Sequence, residues 1–508
     1  MSHPQHWAEV MPERPAIMMS SSGATLTYGE LNVRSNRVAH LLRSAGLKRG
    51  DGIVILMENH LNFLEICWGA QRSGLYFTPV SWRLKADEIA YILRNSNAKT
   101  LFTTPRYAAL ALDAATQFGL DNLFLVGGED KHFSSYEMTL QAQPSTRIND
   151  ESLGRDMLYS SGTTGRSKGV KNVLPDGDVG TIPPVMGYLT KIYGFDTQTI
   201  NLTPAPLYHA GPLRYSMCVG HTGGFNIIME NFEAEAALAL IERHRITHAE
   251  LVPTMFVRLM KLAPELRRKH DLSSLQLVAH GTGPCAPEVK KQIIEWLGTI
   301  LEEQYGGTEG NGLCAISSTE WLAHPASVGK AVVGKLHIVG ADGRDVPVGE
   351  NGLVYFEGGP RFEYHGDANK TAAAYSPEGW STLGDIGYVD HEGYLYLTDR
   401  ESHMIISGGV NIYPQEVENV LINHPAVQDV AVFGVPDADF GEAVMAVVQP
   451  TDMAQAGPLL AQDLIDYCRA QIAHFKCPRA VDFSDSLPRH ETGKIYKRLL
   501  KDQYKDKA

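Results

Sequence analysis

Over its first 150 residues the chain alternates short apolar runs with stretches of helical periodicity, and this alternation restricts the fold more than any other feature. Ile53-Val54-Ile55-Leu56 and Thr100-Leu101-Phe102-Thr103 read as buried strands, and Leu31 to Ala45 and Asn62 to Ser73 read as helices. Strands separated by helices build an α/β layer with a largely parallel sheet. The pattern returns further along, with helical spacing over Glu235 to His244 and Thr254 to Leu262, and strand texture over Ala249 to Val252 and Leu275 to Ala279. A chain of 508 residues is too long for one core, so two α/β halves are expected, without a detectable sequence repeat.

From about Val328 short strands with Gly and Asp turns take over: Leu336 to Val339, Leu353 to Glu357 and Gly393 to Leu397. They predict a small β-barrel-like region. Beyond Arg400 come strands near Met404 to Ser407 and Val430 to Val435, helices over Pro414 to Ile422 and Leu459 to Ile472, and a basic stretch from Lys494 to Lys507. About a hundred residues suffice for an independent α+β unit. We place the boundary at Asp399 to His403, giving a large domain over 1–399 and a small one over 400–508.

A net charge of −13 argues against nucleic acid as a partner, because a phosphate backbone wants a basic surface. No apolar run approaches the ~20 residues that span a bilayer, and no secretory signal is evident, so a cytoplasmic location is expected. The six cysteines (Cys67, Cys218, Cys285, Cys314, Cys468, Cys477) form no Cys-x-x-Cys pair, which points away from a zinc site or a disulfide framework.

The richest chemistry lies at 158–170, Leu-Tyr-Ser-Ser-Gly-Thr-Thr-Gly-Arg-Ser-Lys-Gly-Val. Ser160, Ser161, Thr163 and Thr164 supply hydroxyl donors, Gly162 and Gly165 let backbone N–H groups turn onto an anion, and Lys168 supplies a point charge. This is equipment for a polyphosphate, though the spacing is not that of a Walker loop. In Gln304-Tyr305-Gly306-Gly307-Thr308-Glu309 an aromatic ring can stack on a purine, Thr308 can bond a phosphate and Glu309 can hold magnesium through oxygen. Gly281-Thr282-Gly283-Pro284 would let backbone approach a flat ligand. Asp385 is suited to accept from ribose hydroxyls, or else it is a turn aspartate.

With Arg400 and the ending Glu491-Thr492-Gly493-Lys494-Ile495, these motifs resemble, in order and over nearly the whole chain, the acyl-adenylate-forming superfamily. That superfamily includes acyl-CoA synthetases, peptide-synthetase adenylation domains and beetle luciferases. The resemblance implies a two-step ligase: a carboxylate attacks the α-phosphate of ATP to give acyl-AMP and pyrophosphate, and a thiol, usually of coenzyme A, displaces AMP. By the same likeness the loop from Ser160 to Lys168 holds the β- and γ-phosphates, and Tyr305 with Gly281 to Pro284 frames adenine. Asp385 and Arg400 hold the ribose, Thr308 contacts the α-phosphate, Glu309 helps place magnesium, and Lys494 bridges the reacting oxygens. It further implies that the small domain rotates, bringing Ser407, Gly408 and Gly409 to the pantetheine tunnel. Three positions depart from the pattern: Ser167 where proline is usual, Leu383 where threonine is common, and Ser402 at the aligned hinge.

Pro206 to Pro212 resembles the segment lining the acyl pocket and thiol route. Ala210 stands where amino-acid-activating relatives carry an aspartate, which disfavours an α-amino acid, since an unpaired buried ammonium is costly. Ala210 and Gly211 are read as leaving room for a bulky or long acyl group, and His209 as either a gate or a packed histidine. A fatty or otherwise bulky apolar carboxylic acid is the expected substrate, with aryl acids such as cinnamates close behind. The alternatives are loading of a carrier-protein pantetheine and a silent nucleotide-binding relative. A homodimer is left open.

Overall fold

Gly52–Leu56 and Ala98–Thr103 are neighbouring parallel strands inside a six-stranded sheet. The computed structural model describes residues 3–160, 167–182, 184–437, 439–489 and 495–504. The sheet runs Ser134–Ser135, Leu123–Leu125, Ala98–Thr103, Gly52–Leu56, Tyr76–Pro79, Arg155–Asp156, with every ladder parallel. Successive strand residues serve opposite faces. Ile53 and Ile55 pack with helices Tyr28–Ser44 and Phe63–Arg72, whereas Val54 and Leu56 pack with Ala86–Asn95 and Ala108–Phe118. The first helix begins three residues before the apolar periodicity does. Thr27 accepts from the Glu30 N–H while the Glu30 carboxylate accepts from the Thr27 N–H, a reciprocal cap that fixes the start at Tyr28.

The second sheet has nine strands in the order Lys330–Val333, Leu313–Ser317, Leu301–Tyr305, Leu277–His280, His248–Glu250, Ile200–Thr203, Phe225–Ile228, Pro15–Met19, Thr25–Thr27. Its middle is parallel and both ends are antiparallel. Pro15–Met19 pairs with Phe225–Ile228, so the first strand of the chain belongs to the second sheet and the two halves are not consecutive in sequence. Ala249 and Val278 face helices Ala234–His244, Pro253–Met260 and Pro287–Leu297, while Ala279 faces Leu213 and Tyr215 of helix Ala210–His221. Because His248–Glu250, Leu277–His280 and Leu301–Tyr305 are parallel, their C-terminal ends lie at one edge, where α/β proteins place ligands.

Two smaller sheets and a terminal domain complete the frame. Lys335–Val339, Gly352–Glu357, Ser381–Val389 and Leu395–Arg400 pair antiparallel in that order, an open row among the described residues. Leu158–Ser160 and Lys168–Lys171 pair antiparallel, and the latter also pairs with Glu363–Tyr364, which ties both ends of the motif at 158–170 to Tyr364. Leu395–Arg400 is the last strand of the first row. After a short turn at Glu401–His403 containing Ser402, Ile405–Ser407 opens the five-stranded sheet of the small domain. Asp399 spans the junction: its carboxylate accepts from the N–H of Arg400 (2.7 Å) and of Gln415 (3.0 Å). Lys261 Nζ donates to the Val427 carbonyl at 2.7 Å, a direct bond between the large and small domains. Among the described residues no helix is long and apolar enough to cross a membrane.

Candidate functional site

The C-terminal strand ends of the nine-stranded sheet, the paired strands Leu158–Ser160 and Lys168–Lys171, and the small domain surround one cavity of about 2190 Å³. Ser160 and Lys168 reach it from those two strands, Thr282, Gly283 and Pro284 from the turn after Leu277–His280, and Gln304 to Glu309 from the end of Leu301–Tyr305 and the turn after it. His209, Ala210 and Gly211 enter at the start of helix Ala210–His221. The small domain contributes Arg489, Ile495 and Tyr496.

Antiparallel pairing places Asp385 directly opposite Arg400. The Asp385 carboxylate accepts from Arg400 Nε at 2.9 Å and from the Tyr305 hydroxyl at 2.7 Å, which links three sequence motifs in one contact. Asp385 is buried, and its side chain shows 9% exposure against 27% for Arg400. Burial, together with the Asp385 charge, pushes the Tyr305 phenol well above its ordinary range. Burial would lower Arg400, but Asp385, Tyr305 and Glu309 together outweigh it and the guanidinium is held above its ordinary value. Thr282 takes a left-handed backbone conformation with φ +65° and lines the cavity with Gly283 and Pro284. Gly281 stays off the wall; the Gln304 carbonyl fills the space beside it.

Tyr364 donates to Glu309 Oε1 at 2.9 Å, and Lys168 Nζ stands 4.7 Å over the Tyr364 ring. Burial lowers the Lys168 ammonium from its ordinary value, with the Glu309 carboxylate opposing that shift. Arg214 binds the Asp156 carboxylate through Nε (3.1 Å) and Nη2 (2.7 Å), and Nη2 also donates to the Thr308 carbonyl at 3.2 Å. Burial raises Asp156, yet Arg214 and Arg155 together carry it below the usual carboxylate value, so the pair is ionic. It fixes the turn that presents Thr308. Tyr364, Arg214 and Asp156 were not singled out from the sequence, where no motif marks them.

The acyl side departs from expectation at Gly211. A Cβ there would stand 2.3 Å from Glu250 Oε1, so the space read as room for a substrate is already filled by a carboxyl group. Glu250 is 4% exposed, and burial pushes its carboxyl up to about 8. Its signal in the sequence is a charged residue inside the otherwise apolar run Ala249 to Val252. Leu383 lines the cavity and packs against Gly307, where a threonine hydroxyl had been common in the resembling family.

Some predicted residues are not gathered here. Ser407, Gly408 and Gly409 lie off the cavity wall, in a hairpin whose Ser407 pairs with Gly441 and whose Gly408 N–H donates to the Phe440 carbonyl. Ser161, Gly162, Thr163, Thr164, Gly165 and Lys494 lie outside the described residues. Arg489 and Ile495, on either side of the Lys494 segment, form an antiparallel bridge and line the cavity. Among the described residues no group of three His, Cys, Asp or Glu side chains is arranged to hold a metal ion.

Residues 4–361 match the family described as AMP-binding enzyme, and residues 416–494 match the AMP-binding enzyme C-terminal domain. A fatty acid–[acyl-carrier-protein] ligase, ScoC, of Streptomyces coeruleorubidus is 32% identical over 515 residues, covering 99% of this chain and 95% of that protein. A feruloyl-CoA synthase of an Amycolatopsis species is 32% identical over 501 residues, covering 98% and 97%. Among solved structures, ATP-bound MatB from Rhodopseudomonas palustris superposes with a TM-score of 0.83 at 26% identity, covering 100% of this chain and 99% of that one.

Proposed function

The chain belongs to the AMP-binding enzyme family, and on that premise we propose that it adenylates a bulky, largely apolar carboxylic acid with ATP and passes the acyl group to coenzyme A. It is an AMP-forming acid–thiol ligase; the fatty or otherwise bulky acid and the free CoA acceptor are the parts proposed. The observation that carries the reading is the convergence of Ser160, Lys168, Thr308, Glu309, Asp385 and Arg400 on the cavity that His209 to Gly211 also line. At about 2190 Å³ it exceeds the ~300–1,000 Å³ of a typical ligand pocket, which is room for a nucleotide and an acid together.

In the first step an acid oxygen attacks the α-phosphorus and pyrophosphate leaves. Two anions must meet, so fixed positive charge at the phosphates lowers the barrier. Lys168, oriented over Tyr364, supplies that charge for the outer phosphates, and Thr308 offers its hydroxyl to the α-phosphate. Asp385 keeps lone pairs for ribose hydroxyls while Arg400 and Tyr305 hold it still. Glu309 fits a magnesium ion bound through one carboxylate and substrate phosphates, because Tyr364 occupies only Oε1 and the residue borders the cavity. Bound there, magnesium would neutralise phosphate charge. In the second step a thiolate attacks the acyl carbonyl and AMP leaves. Ser407 to Gly409 reach that step only after rotation of the small domain about the junction near Ser402, and Lys494 serves the first step.

An aryl acid of the cinnamate type is the second reading, favoured by the similarity to a feruloyl-CoA synthase and by Tyr208 and Tyr215 in the wall. Pyrophosphate exchange with a panel of fatty and aryl acids, followed by AMP release with CoA or with a pantetheinylated carrier protein, tests both. Exchange with a bulky acid and AMP release with CoA are expected. Exchange with small α-amino acids alone, or AMP release only with the carrier protein, would overturn the proposal.

A further inference from the structure

Glu250 is a buried acid that the reaction described above does not use. It pairs opposite Ala279, which puts its side chain on the sheet face that carries helix Ala210–His221. Its Oε2 is sealed from solvent and has no hydrogen-bond partner, and its Oε1 occupies the space that Gly211 leaves by having no side chain. The Tyr215 hydroxyl is likewise sealed without a partner, and its phenol is raised by burial and, to a smaller degree, by Tyr193 and then Glu250. Gly211 and Tyr215 both line the cavity, and Glu250 lies directly behind Gly211. Two unpartnered polar groups thus stand at the acyl end, Tyr215 on the wall and Glu250 one layer behind it.

An unpartnered buried polar group costs free energy, and a ligand that supplies the partner recovers it. We propose that Glu250 determines specificity: the acid carries a hydrogen-bond donor, a hydroxyl or an amino group, remote from its carboxylate, and Glu250 accepts from it beside Tyr215. This deepens the proposed ligase reading and rests on it. A wholly apolar tail would leave both groups without partners. A bare hydrophobic pocket discriminates weakly between such acids, whereas a pocket built to bond a hydroxyl rejects the analogue lacking it by ~10⁴ or more. Burial also keeps the free carboxyl largely protonated at neutral pH, so it offers a proton as well as lone pairs to a hydroxyl, while an amine would draw it into the ionised form.

The test is pyrophosphate exchange by the full chain with matched acids: cinnamate against para-hydroxycinnamate, benzoate against para-aminobenzoate, dodecanoate against ω-hydroxydodecanoate. The expected result is a preference for the donor-bearing member of at least one pair by roughly 10²-fold or more in kcat/KM. Glu250→Leu should abolish or invert that ratio, and Glu250→Gln should retain part of it. Hydroxyl and amino arms separate the two kinds of donor. Equal use of both members in every pair, preference for the bare acid throughout, or an unchanged ratio in Glu250→Leu would overturn the inference while leaving the ligase reading intact. No exchange with any acid would overturn the ligase reading and the inference with it. The wild-type ratios need no variant, so misfolding of Glu250→Leu leaves the test standing.

Discussion

Asp385→Asn removes one charge from the contact that joins three motifs, and its cost follows from the geometry. The carboxylate accepts from Tyr305 at 2.7 Å and from Arg400 at 2.9 Å. The amide keeps one acceptor oxygen. If it serves Arg400, its NH₂ faces the Tyr305 hydroxyl, which can reverse and accept; the charge-assisted character of both bonds is lost either way. Hydrogen bonds to charged groups contribute ~1.5–3 kcal/mol each against ~0.5–1.5 for neutral ones, so weakening two implies about 2 kcal/mol. The 27% exposure of Arg400 lets water offset part of this, and we expect about 1–2 kcal/mol of stability lost. If Asp385 also meets ribose, the KM for ATP in pyrophosphate exchange rises roughly tenfold, since ~1.4 kcal/mol is a factor of ten. A double-mutant cycle with Tyr305→Phe should show coupling of ~0.5–1 kcal/mol, because the two side chains share one bond. Additive effects together with an unchanged ATP KM would refute the reasoning.

The remaining expectations concern charge, packing and the reaction steps. Glu250 holds its proton in the folded state up to about 8, against an ordinary 4.5, so stability falls as pH rises through that window; at ~1.36 kcal/mol per tenfold change the full loss is about 5 kcal/mol. Urea unfolding of wild type and Glu250→Gln between pH 5 and 9 should diverge accordingly, and parallel curves would contradict the burial of the carboxyl. Gly312→Ala drives a Cβ to 2.2 Å from the Phe356 ring, which is 2% exposed, and should cost ~1–3 kcal/mol, read as a lower Tm. Lys494→Ala should lower adenylation by ~10²–10³-fold while sparing thioester formation from supplied acyl-AMP, since the proposal assigns the lysine to one step only; equal loss in both half-reactions would count against domain rotation.

The layered α/β architecture was legible because its signals are local. An apolar run flanked by turns, or a 3.6-residue stripe, is written in adjacent residues, and Gly52–Leu56 and Phe63–Arg72 lie within a residue of their expected positions. Pro15–Met19 shows the limit. It was not singled out as a strand, and its local pattern holds nothing about which sheet it joins; pairing with Phe225–Ile228 across some 200 residues is decided by packing. Glycine-rich turns at 281–284 and 304–309 were legible for the same local reason, and parallel strands then carried them to one edge.

Contacts across the site were less legible, and the register of pairing explains why. Asp385 and Arg400 were each visible, but their opposition depends on a shift in the ladder between Ile386 and Gly387 that sequence does not display. Tyr364 reaches Glu309 only because Glu363–Tyr364 pairs with the strand that begins at Lys168. Gly211 and Glu250 are the sharpest case. A small residue in a pocket segment reads as empty space, and a glutamate in an apolar strand reads as an anomaly. A strand alternates its side chains between faces, so the anomaly falls on either the face toward Phe256 of helix Pro253–Met260 or the face toward Gly211 of helix Ala210–His221. Pairing with Ala279 selects the second. The glycine and the glutamate then account for each other: the carboxyl needs a neighbour without a side chain, and the space that neighbour vacates belongs to the carboxyl. On the proposed reading the acid is therefore fitted to a polar group behind Gly211, a constraint that neither residue reveals alone.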